Sequence, residues 1–223
     1  MIRDLEEKAL AGQGITKEEA LFLASLTGKD VFGLFASAGR IRRHFRGAFV
    51  DVCAIINAKS GLCSEDCSYC AQSSRHAAGA PVFPLLERRA VLDRAAEALQ
   101  GGARRFCIVT SGRGIDSRED IENIAAGIRR VRDAGLSPCA TLGTLTKDQL
   151  ALLKDSGLNR YHHNIETSRA FFPRICTTHS FDERLQVLAD VKDLGLSVCS
   201  GGILGMGETM NDRIDMAFTL REL

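Results

Sequence analysis

Three cysteines, Cys63, Cys67 and Cys70, form a C-x3-C-x2-C run with the aromatic Tyr69 just before the third cysteine. Cysteine thiolates are the usual ligands of iron–sulfur clusters. Three thiolates hold three irons of a four-iron cluster and leave the fourth iron open to a small molecule. A structural zinc site usually takes four ligands from two cysteine pairs, and this run has only one C-x2-C pair. The spacing therefore predicts a four-iron cluster with one open iron, and a zinc-binding structural module is the alternative.

A second group of cysteines occurs at matching positions of an internal repeat. Three helix-to-strand joints share the frame Asp-x-Gly-Leu, at residues 133–136, 155–158 and 193–196. Cys139 and Cys199 each stand four residues after the glycine of such a frame, and Cys107 lies similarly early in its predicted strand. Equivalent frames place side chains at equivalent points of neighbouring strands. We therefore expect these three thiols to point into one interior.

The elements that must position these thiols alternate along the chain. Residues 1–45 read as helices, with a capping box at residues 16–19. Apolar, β-branched runs predict strands at residues 49–57, 104–110, 137–142, 159–165 and 197–203. Amphipathic helices are predicted between them and after the last, at 91–100, from 117, from 146, from 180 and at 208–223. Strands joined by single helices imply right-handed crossovers and a parallel sheet.

This alternation indicates an α/β fold, a TIM-type (β/α) barrel or part of one. An open doubly wound sheet normally carries a glycine-rich phosphate loop after its first strand, and here a cysteine loop takes that place. We expect residues 1–45 to form an N-terminal helical segment and residues 46–223 a partial barrel domain. A complete barrel usually needs about 250 residues, and only five strand–helix units follow the first helices. The chain is thus expected to be C-terminally truncated.

Charge and hydropathy give no sign of a nucleic-acid or membrane partner. The 223 residues include 29 basic and 28 acidic side chains, a formal net charge of +1. No apolar run approaches the roughly 20 residues that a spanning helix needs. The first residues have no secretory apolar region. We expect a cytoplasmic protein in a reducing environment, where clustered cysteines favour metal binding or catalysis over disulfides.

The cysteine run resembles that of the radical S-adenosylmethionine (SAM) enzymes, and within them the chain resembles the biotin synthase family. The stretches that carry this resemblance are residues 57–61, 140–145, 161–168 and 199–208. The resemblance implies a TIM-type barrel in which SAM chelates the open iron and is cleaved to a 5′-deoxyadenosyl radical. The implied reaction inserts sulfur into dethiobiotin to form biotin. The implied partners are dethiobiotin, a flavodoxin- or ferredoxin-type electron donor and a second copy of the chain in a homodimer.

The resemblance also assigns two clusters. It implies that Cys63, Cys67 and Cys70 hold the four-iron cluster that binds SAM. It implies that Cys107, Cys139 and Cys199 hold a second cluster, of two irons or more, which supplies the sulfur. The family's further ligand to this second cluster is an arginine late in the barrel. The chemistry is carried by the cofactors, so no side chain is predicted to be catalytic.

A third set of residues is implied to bind SAM and substrate. The resemblance places Asn164 and Glu166 near the SAM ribose and the substrate, and pairs Arg184 with the SAM carboxylate. Gly201 and Gly202 are implied to let the backbone approach the adenine. Tyr69 is expected to pack beside the cluster or the adenine.

Some residues depart from the commonest form of the family. Glu166 stands where many members have aspartate, and His162 where many have asparagine. Cys53 and Cys176 are additional thiols, interpreted either as small buried residues or, for Cys176, as a further ligand of the second cluster. Among enzymes, the alternative interpretation is that the chain is another radical SAM enzyme with a similar barrel, such as an iron-hydrogenase maturase.

Overall fold

The computed structural model describes residues 1–223 and contains eight α-helices and five β-strands. The helices are α1 Ile2–Leu10, α2 Lys17–Ala24, α3 Lys29–Arg46, α4 Arg88–Gln100, α5 Arg118–Asp133, α6 Lys147–Asp155, α7 Phe181–Asp193 and α8 Met210–Glu222. The strands are β1 Cys53–Lys59, β2 Arg105–Thr110, β3 Ser137–Thr141, β4 Arg160–His162 and β5 Ser197–Cys199. A short 3-10 helix, Phe172–Arg174, precedes α7.

The five strands form one parallel sheet in the order β1-β2-β3-β4-β5. Single helices, α4 to α7, connect consecutive strands, as the alternating pattern predicts. The sheet is open, because β1 and β5 each have only one neighbouring strand. The predicted α/β architecture is therefore confirmed as an incomplete (β/α) barrel.

The two faces of the sheet differ in what covers them. On the helix-covered face, Phe106, Ala140 and Tyr161 join a core of 24 buried residues that includes the apolar stripe of α5. On the other face, Ile55 remains 67% exposed. Because side chains alternate along each strand, this second face also carries the cysteines of β2, β3 and β5.

Local signals in the sequence place most helix boundaries. Capping boxes begin α2, α6 and α7 at Thr16, Thr146 and Ser180, where each side-chain oxygen accepts a backbone N–H three residues on. The glycines of the Asp-x-Gly-Leu frames follow the ends of α5, α6 and α7 with φ between 70° and 102°. The leucine after each glycine is buried and leads into the next strand.

The strands are shorter than the sequence predicts. β1 begins at Cys53 rather than at residue 49, because before it only the carbonyl of Val52 bonds to β2. Phe49 instead lies exposed under the Arg104 guanidinium, 4.3 Å from the ring centroid. β4 ends at His162 rather than at residue 165, although backbone bonds from His163 and Ile165 continue beside β5 to Cys199 and Gly201.

The N-terminal helices are attached to α8. Lys17 forms an ion pair with Asp215 at 2.5 Å. The Arg221 guanidinium donates a hydrogen bond to the Ile15 carbonyl at 2.8 Å. None of the helices combines the length and apolar composition that crossing a membrane requires.

Candidate active site

The cysteine run occupies the loop between β1 and α4, at the carboxyl end of the sheet. The loop begins with Gly61 at φ 77°, where a Cβ atom would lie 2.7 Å from Val82. The backbone of Cys63 then donates to Gln72 and accepts from Ser74, at 3.0 and 2.8 Å. These bonds close the loop into a ring that carries all three thiols.

The three thiols line one cavity of about 250 Å³. Four of the residues predicted to bind SAM and substrate line the same cavity: Tyr69, Asn164, Glu166 and Arg184. All eight cysteines of the chain are free of disulfides. The structure thus brings the predicted cluster ligands and most of the predicted SAM ligands to one place.

Arg184 connects the elements around this cavity. It is 9% exposed and lies in the first turns of α7. Its guanidinium donates to the Asn164 carbonyl at 2.7 Å and to His179 Nε2 at 3.0 Å. It also lies 3.6 Å from the Glu166 carboxylate and 3.5 Å from the Tyr69 hydroxyl. A fixed cation therefore faces the cysteine loop.

A line of polar side chains runs from Glu166 down the open face of the sheet. The Asn164 amide donates to Glu166 at 3.5 Å, and its oxygen lies 2.9 Å from His162 Nε2. Thr141 lies 2.8 Å from the other nitrogen of this ring and 3.5 Å from the Cys107 thiol. Burial lowers the pKa of His162, so its ring is neutral and fits a hydrogen-bonding role. Burial raises the pKa of Glu166, against the attraction of Arg184.

A second polar network, absent from the sequence predictions, fixes the far side of the cysteine loop. Asp66 accepts from the backbone of Thr177 at 2.9 Å, and Thr178 donates to Glu65 at 2.7 Å. His179 also bonds to Glu65. Burial alone would raise the pKa of Glu65, but the hydrogen bonds from Thr178 and His179 lower it. The only local signal for this network is the polar run that precedes the capping box of α7.

The second group of thiols lies on the open face of the sheet. Cys107 and Cys139 are direct register partners on β2 and β3, and both are buried. The interaction between the two thiols lowers the pKa of Cys107 and raises that of Cys139. Cys199 is paired in register with His162 of β4 and is half-buried. Three strands therefore present thiols to one interior, as the repeat predicts.

The remaining predicted residues lie close to these groups. Gly201 accepts backbone bonds from Ile165 and Glu166, each at 3.1 Å. A Cβ at Gly202 would lie 2.4 Å from the Glu166 carbonyl, so only glycine fits there. Both glycines border the cavity from behind Glu166 and are not among the residues lining it.

Cys176 does not join the interior thiols. Its sulfur lies 3.7 Å from that of Cys67 and 3.3 Å from His179 Nδ1. Burial and this neighbouring thiol raise the pKa of Cys67 to about 12. The metal-free Cys67 therefore keeps its proton until a metal displaces it.

Both groups of thiols fit iron–sulfur clusters. The loop offers three free thiols beside an open cavity, a donor set that leaves one iron of a four-iron cluster without a protein ligand. The interior offers two buried thiols that are direct register partners on neighbouring strands. Cysteine thiolates are the ligands such clusters require, and no disulfide occupies either group.

Comparison with known proteins assigns the family. The family model of the radical SAM superfamily matches residues 59–220. A biotin synthase of Pelotomaculum thermopropionicum is 49% identical over 224 residues, which cover 100% of this chain and 70% of the relative. A biotin synthase of Trichlorobacter lovleyi is 48% identical and covers 100% of this chain and 67% of the relative.

Solved structures agree on the fold. Methylornithine synthase has a TM-score of 0.86 at 20% identity, covering 98% of this chain and 64% of that one. The FeFe-hydrogenase maturase HydG of Carboxydothermus hydrogenoformans has a TM-score of 0.78 at 15% identity, covering 99% and 53%. At these identities the likeness extends to the fold alone, so it gives no support to a maturase function.

The curated relatives thus favour the first interpretation of the sequence over the maturase and over the zinc-binding module. A radical SAM protein implies a four-iron cluster and SAM. This chain is 49% and 48% identical, along its whole length, to these two biotin synthases. It therefore belongs to the biotin synthase family of the radical SAM superfamily.

Proposed function

We propose that this chain inserts sulfur into dethiobiotin to form biotin, with a second, interior cluster as the sulfur source. One feature carries the proposal: a continuous line of polar contacts runs from Cys107 through Thr141 and His162 to Asn164 and Glu166. Glu166 lines the same cavity as the three loop thiols. A substrate in this space reaches both groups. The names of the relatives support the same reaction.

The proposed roles of the residues follow from their contacts. When bound, SAM at the open iron supplies a radical that removes hydrogen from saturated carbons, and the second cluster supplies sulfur. Cys63, Cys67 and Cys70 hold the first cluster, and Cys107, Cys139 and Cys199 hold the second. The Arg184 guanidinium bonds to His179, the Asn164 carbonyl and the Tyr69 hydroxyl. Its remaining N–H groups are available to pair with the SAM carboxylate.

Asn164 and Glu166 orient the SAM ribose and the substrate. Their side chains contact each other, and the buried Arg184 holds the Glu166 carboxylate and the Asn164 backbone carbonyl, so little ordering remains to be done on binding. Gly201 and Gly202 keep the backbone free of side chains on the adenine side. Tyr69 packs against the cluster and helps to exclude water, since its ring lies within the same cavity.

The proposal extends to organisation and partners. α3 ends at Arg46 and β1 begins at Cys53, which supports a helical segment at 1–45 and a barrel domain at 46–223. Reductive cleavage of SAM needs a flavodoxin- or ferredoxin-type electron donor. A homodimer is proposed from the family resemblance alone.

Anaerobic reconstitution with iron and sulfide, followed by assay of two products, tests the proposal. With SAM, dethiobiotin and a reductant, the chain should form both 5′-deoxyadenosine and biotin. The Cys63→Ala variant should form neither product. The matched Cys139→Ala variant should still form 5′-deoxyadenosine but no biotin. Biotin formation by Cys139→Ala at the unsubstituted rate would overturn the role of the interior thiols.

A further inference from the structure

Cys53, the first residue of β1, shares the open face of the sheet with the interior thiols. It is two residues before Ile55, which is in register with Cys107, so alternation places Cys53 and Ile55 on the same side as Cys107. The only hydrogen-bond partner of its sulfur is the Ala54 carbonyl, at a long 3.6 Å. Nothing in the described mechanism uses this thiol.

The strand register relates Cys53 to two of the other thiols by a constant shift of two residues at every second strand. Cys53 is in register with Arg105, and Arg105 with Ser137, so Cys139 lies two residues further along the sheet. Cys139 is in register with Arg160, and Arg160 with Ser197, so Cys199 lies two residues further again.

This stagger is the one that closes a barrel. An eight-stranded barrel of shear 8 shifts by one residue per strand, and therefore by two residues at every second strand. Side chains from alternate strands then form one interior layer. Cys53 on β1, Cys139 on β3 and Cys199 on β5 follow this shift, so they belong to one layer, and Cys107 lies on the strand between the first two.

We propose that Cys53 is a further protein ligand of the interior cluster, beside Cys107, Cys139 and Cys199. The inference rests on the proposed function, because it needs the interior cluster. Binding is proton-balanced: the Cys53 thiol releases one proton and its thiolate takes one coordination position on iron. Four thiolates satisfy either a two-iron or a four-iron cluster. The structure thus adds a thiolate to the three that the family resemblance implies.

A chain without the loop cluster isolates the interior one. In the Cys63→Ala, Cys67→Ala, Cys70→Ala triple variant, iron and sulfide analysis after anaerobic reconstitution should report the interior cluster alone. Cys53→Ala and Cys53→Ser in this background should change the Mössbauer parameters and lower the iron retained against a chelator at least several-fold. Cys176→Ala, the matched control, should change neither, because Cys176 lies beside the deleted loop cluster.

Chemical labelling provides a second measurement that needs no substitution at Cys53. In the metal-free triple variant, iodoacetamide should alkylate Cys53, which is exposed. After cluster loading, mass spectrometry should find Cys53 protected together with Cys107, Cys139 and Cys199. Protection of those three with Cys53 still alkylated, or unchanged spectra in Cys53→Ala, would overturn the inference and leave the interior cluster standing. A triple variant that binds no iron–sulfur cluster would overturn the proposed function itself.

Discussion

Arg184 is a buried cation of the candidate site, proposed above to pair with the SAM carboxylate. Arg184→Lys keeps the charge but loses the planar fork that donates to Asn164 and His179 at once. We expect the dissociation constant of SAM to rise at least about tenfold, or about 1.4 kcal/mol, measured by equilibrium dialysis on the reconstituted protein. Arg174→Lys, an exposed change on the neighbouring 3-10 helix, is the control and should leave it unchanged. An equal effect of both changes would refute a specific role for Arg184.

His163 gives the apo protein a pH dependence of known sign. The ring is 6% exposed and its Nε2 has no hydrogen-bond partner. Burial first, then the neighbouring charge of Arg184, lower its pKa from 6.5 to about 3. Between these values the unfolded chain binds a proton that the folded chain does not. The stabilisation is therefore complete above pH 6.5 and is lost as the pH falls toward 3.

Replacing this ring should remove that dependence. Because His163 takes up a proton only when the chain unfolds, it should lower the free energy of unfolding by about 2 kcal/mol from pH 7 to pH 5. Urea denaturation of the metal-free chain at both pH values measures this drop in the free energy of unfolding. In His163→Leu we expect the drop to be smaller by about the same amount. His44→Leu, at an exposed histidine of α3, should keep the original difference. A pH dependence of His163→Leu equal to that of the unsubstituted chain would show that folding does not lower the pKa of this ring.

At the scale of elements, the start of α7 delivers Arg184 to the site. Its capping box closes with Ser180 accepting from the Glu183 backbone at 3.1 Å and Glu183 accepting from the Ser180 backbone at 2.7 Å. Ser180→Ala should cost about 1 kcal/mol of stability. It should also weaken SAM binding several-fold, because Arg184 follows this box directly.

The capping box of α6 offers a control of the same chemistry. Thr146 and Gln149 make the equivalent pair of bonds, but α6 carries none of the residues proposed to bind SAM. Thr146→Ala should therefore lose similar stability, by thermal or urea unfolding, with SAM affinity unchanged. Equal losses of SAM affinity in Ser180→Ala and Thr146→Ala would mean that general loosening, rather than the position of Arg184, explains the effect.

The same comparison shows what sequence can predict. Helix starts and joints are encoded by residues three or four positions apart, so the boxes at Thr146 and Ser180 were predictable. The loop ligands were predictable because their spacing is itself the signal. The end of β4 at His162 was not, because the bonds beside it, from His163 to Cys199 and from Ile165 to Gly201, each join residues 36 positions apart in the chain.

Long-range partners explain the other omissions. Glu65 meets His179 across 114 positions of the chain, and neither residue stands in a pattern that indicates the other. The sequence leaves the role of Cys53 open, because its relation to Cys139 and Cys199 is a matter of strand register, and the structure shows it exposed rather than buried. Register is fixed by pairing in three dimensions, which the sequence does not express locally.

At the scale of the molecule, the N-terminal helices contribute little to the core. α1 buries only Leu5 and Glu6, α2 buries nothing, and α3 buries only Ser37. Three phenylalanines of α3 are exposed: Phe32, Phe35 and Phe45. Both apolar core clusters lie within residues 56–216. Segments with few buried contacts open at lower free energy than the core.

Native-state hydrogen exchange should resolve this difference. Amides of α1 to α3 should open at a free energy at least about 2 kcal/mol below that of β2, β3 and α5, which should exchange only by global unfolding. Arg221→Ala removes the bond to Ile15 and should speed exchange in residues 2–46 about fivefold without changing β2 and β3. Arg118→Ala, at a side chain 91% exposed on α5, should change neither region. If α3 instead shares the slowest exchange of β2 and β3, the N-terminal helices and the sheet unfold as one unit.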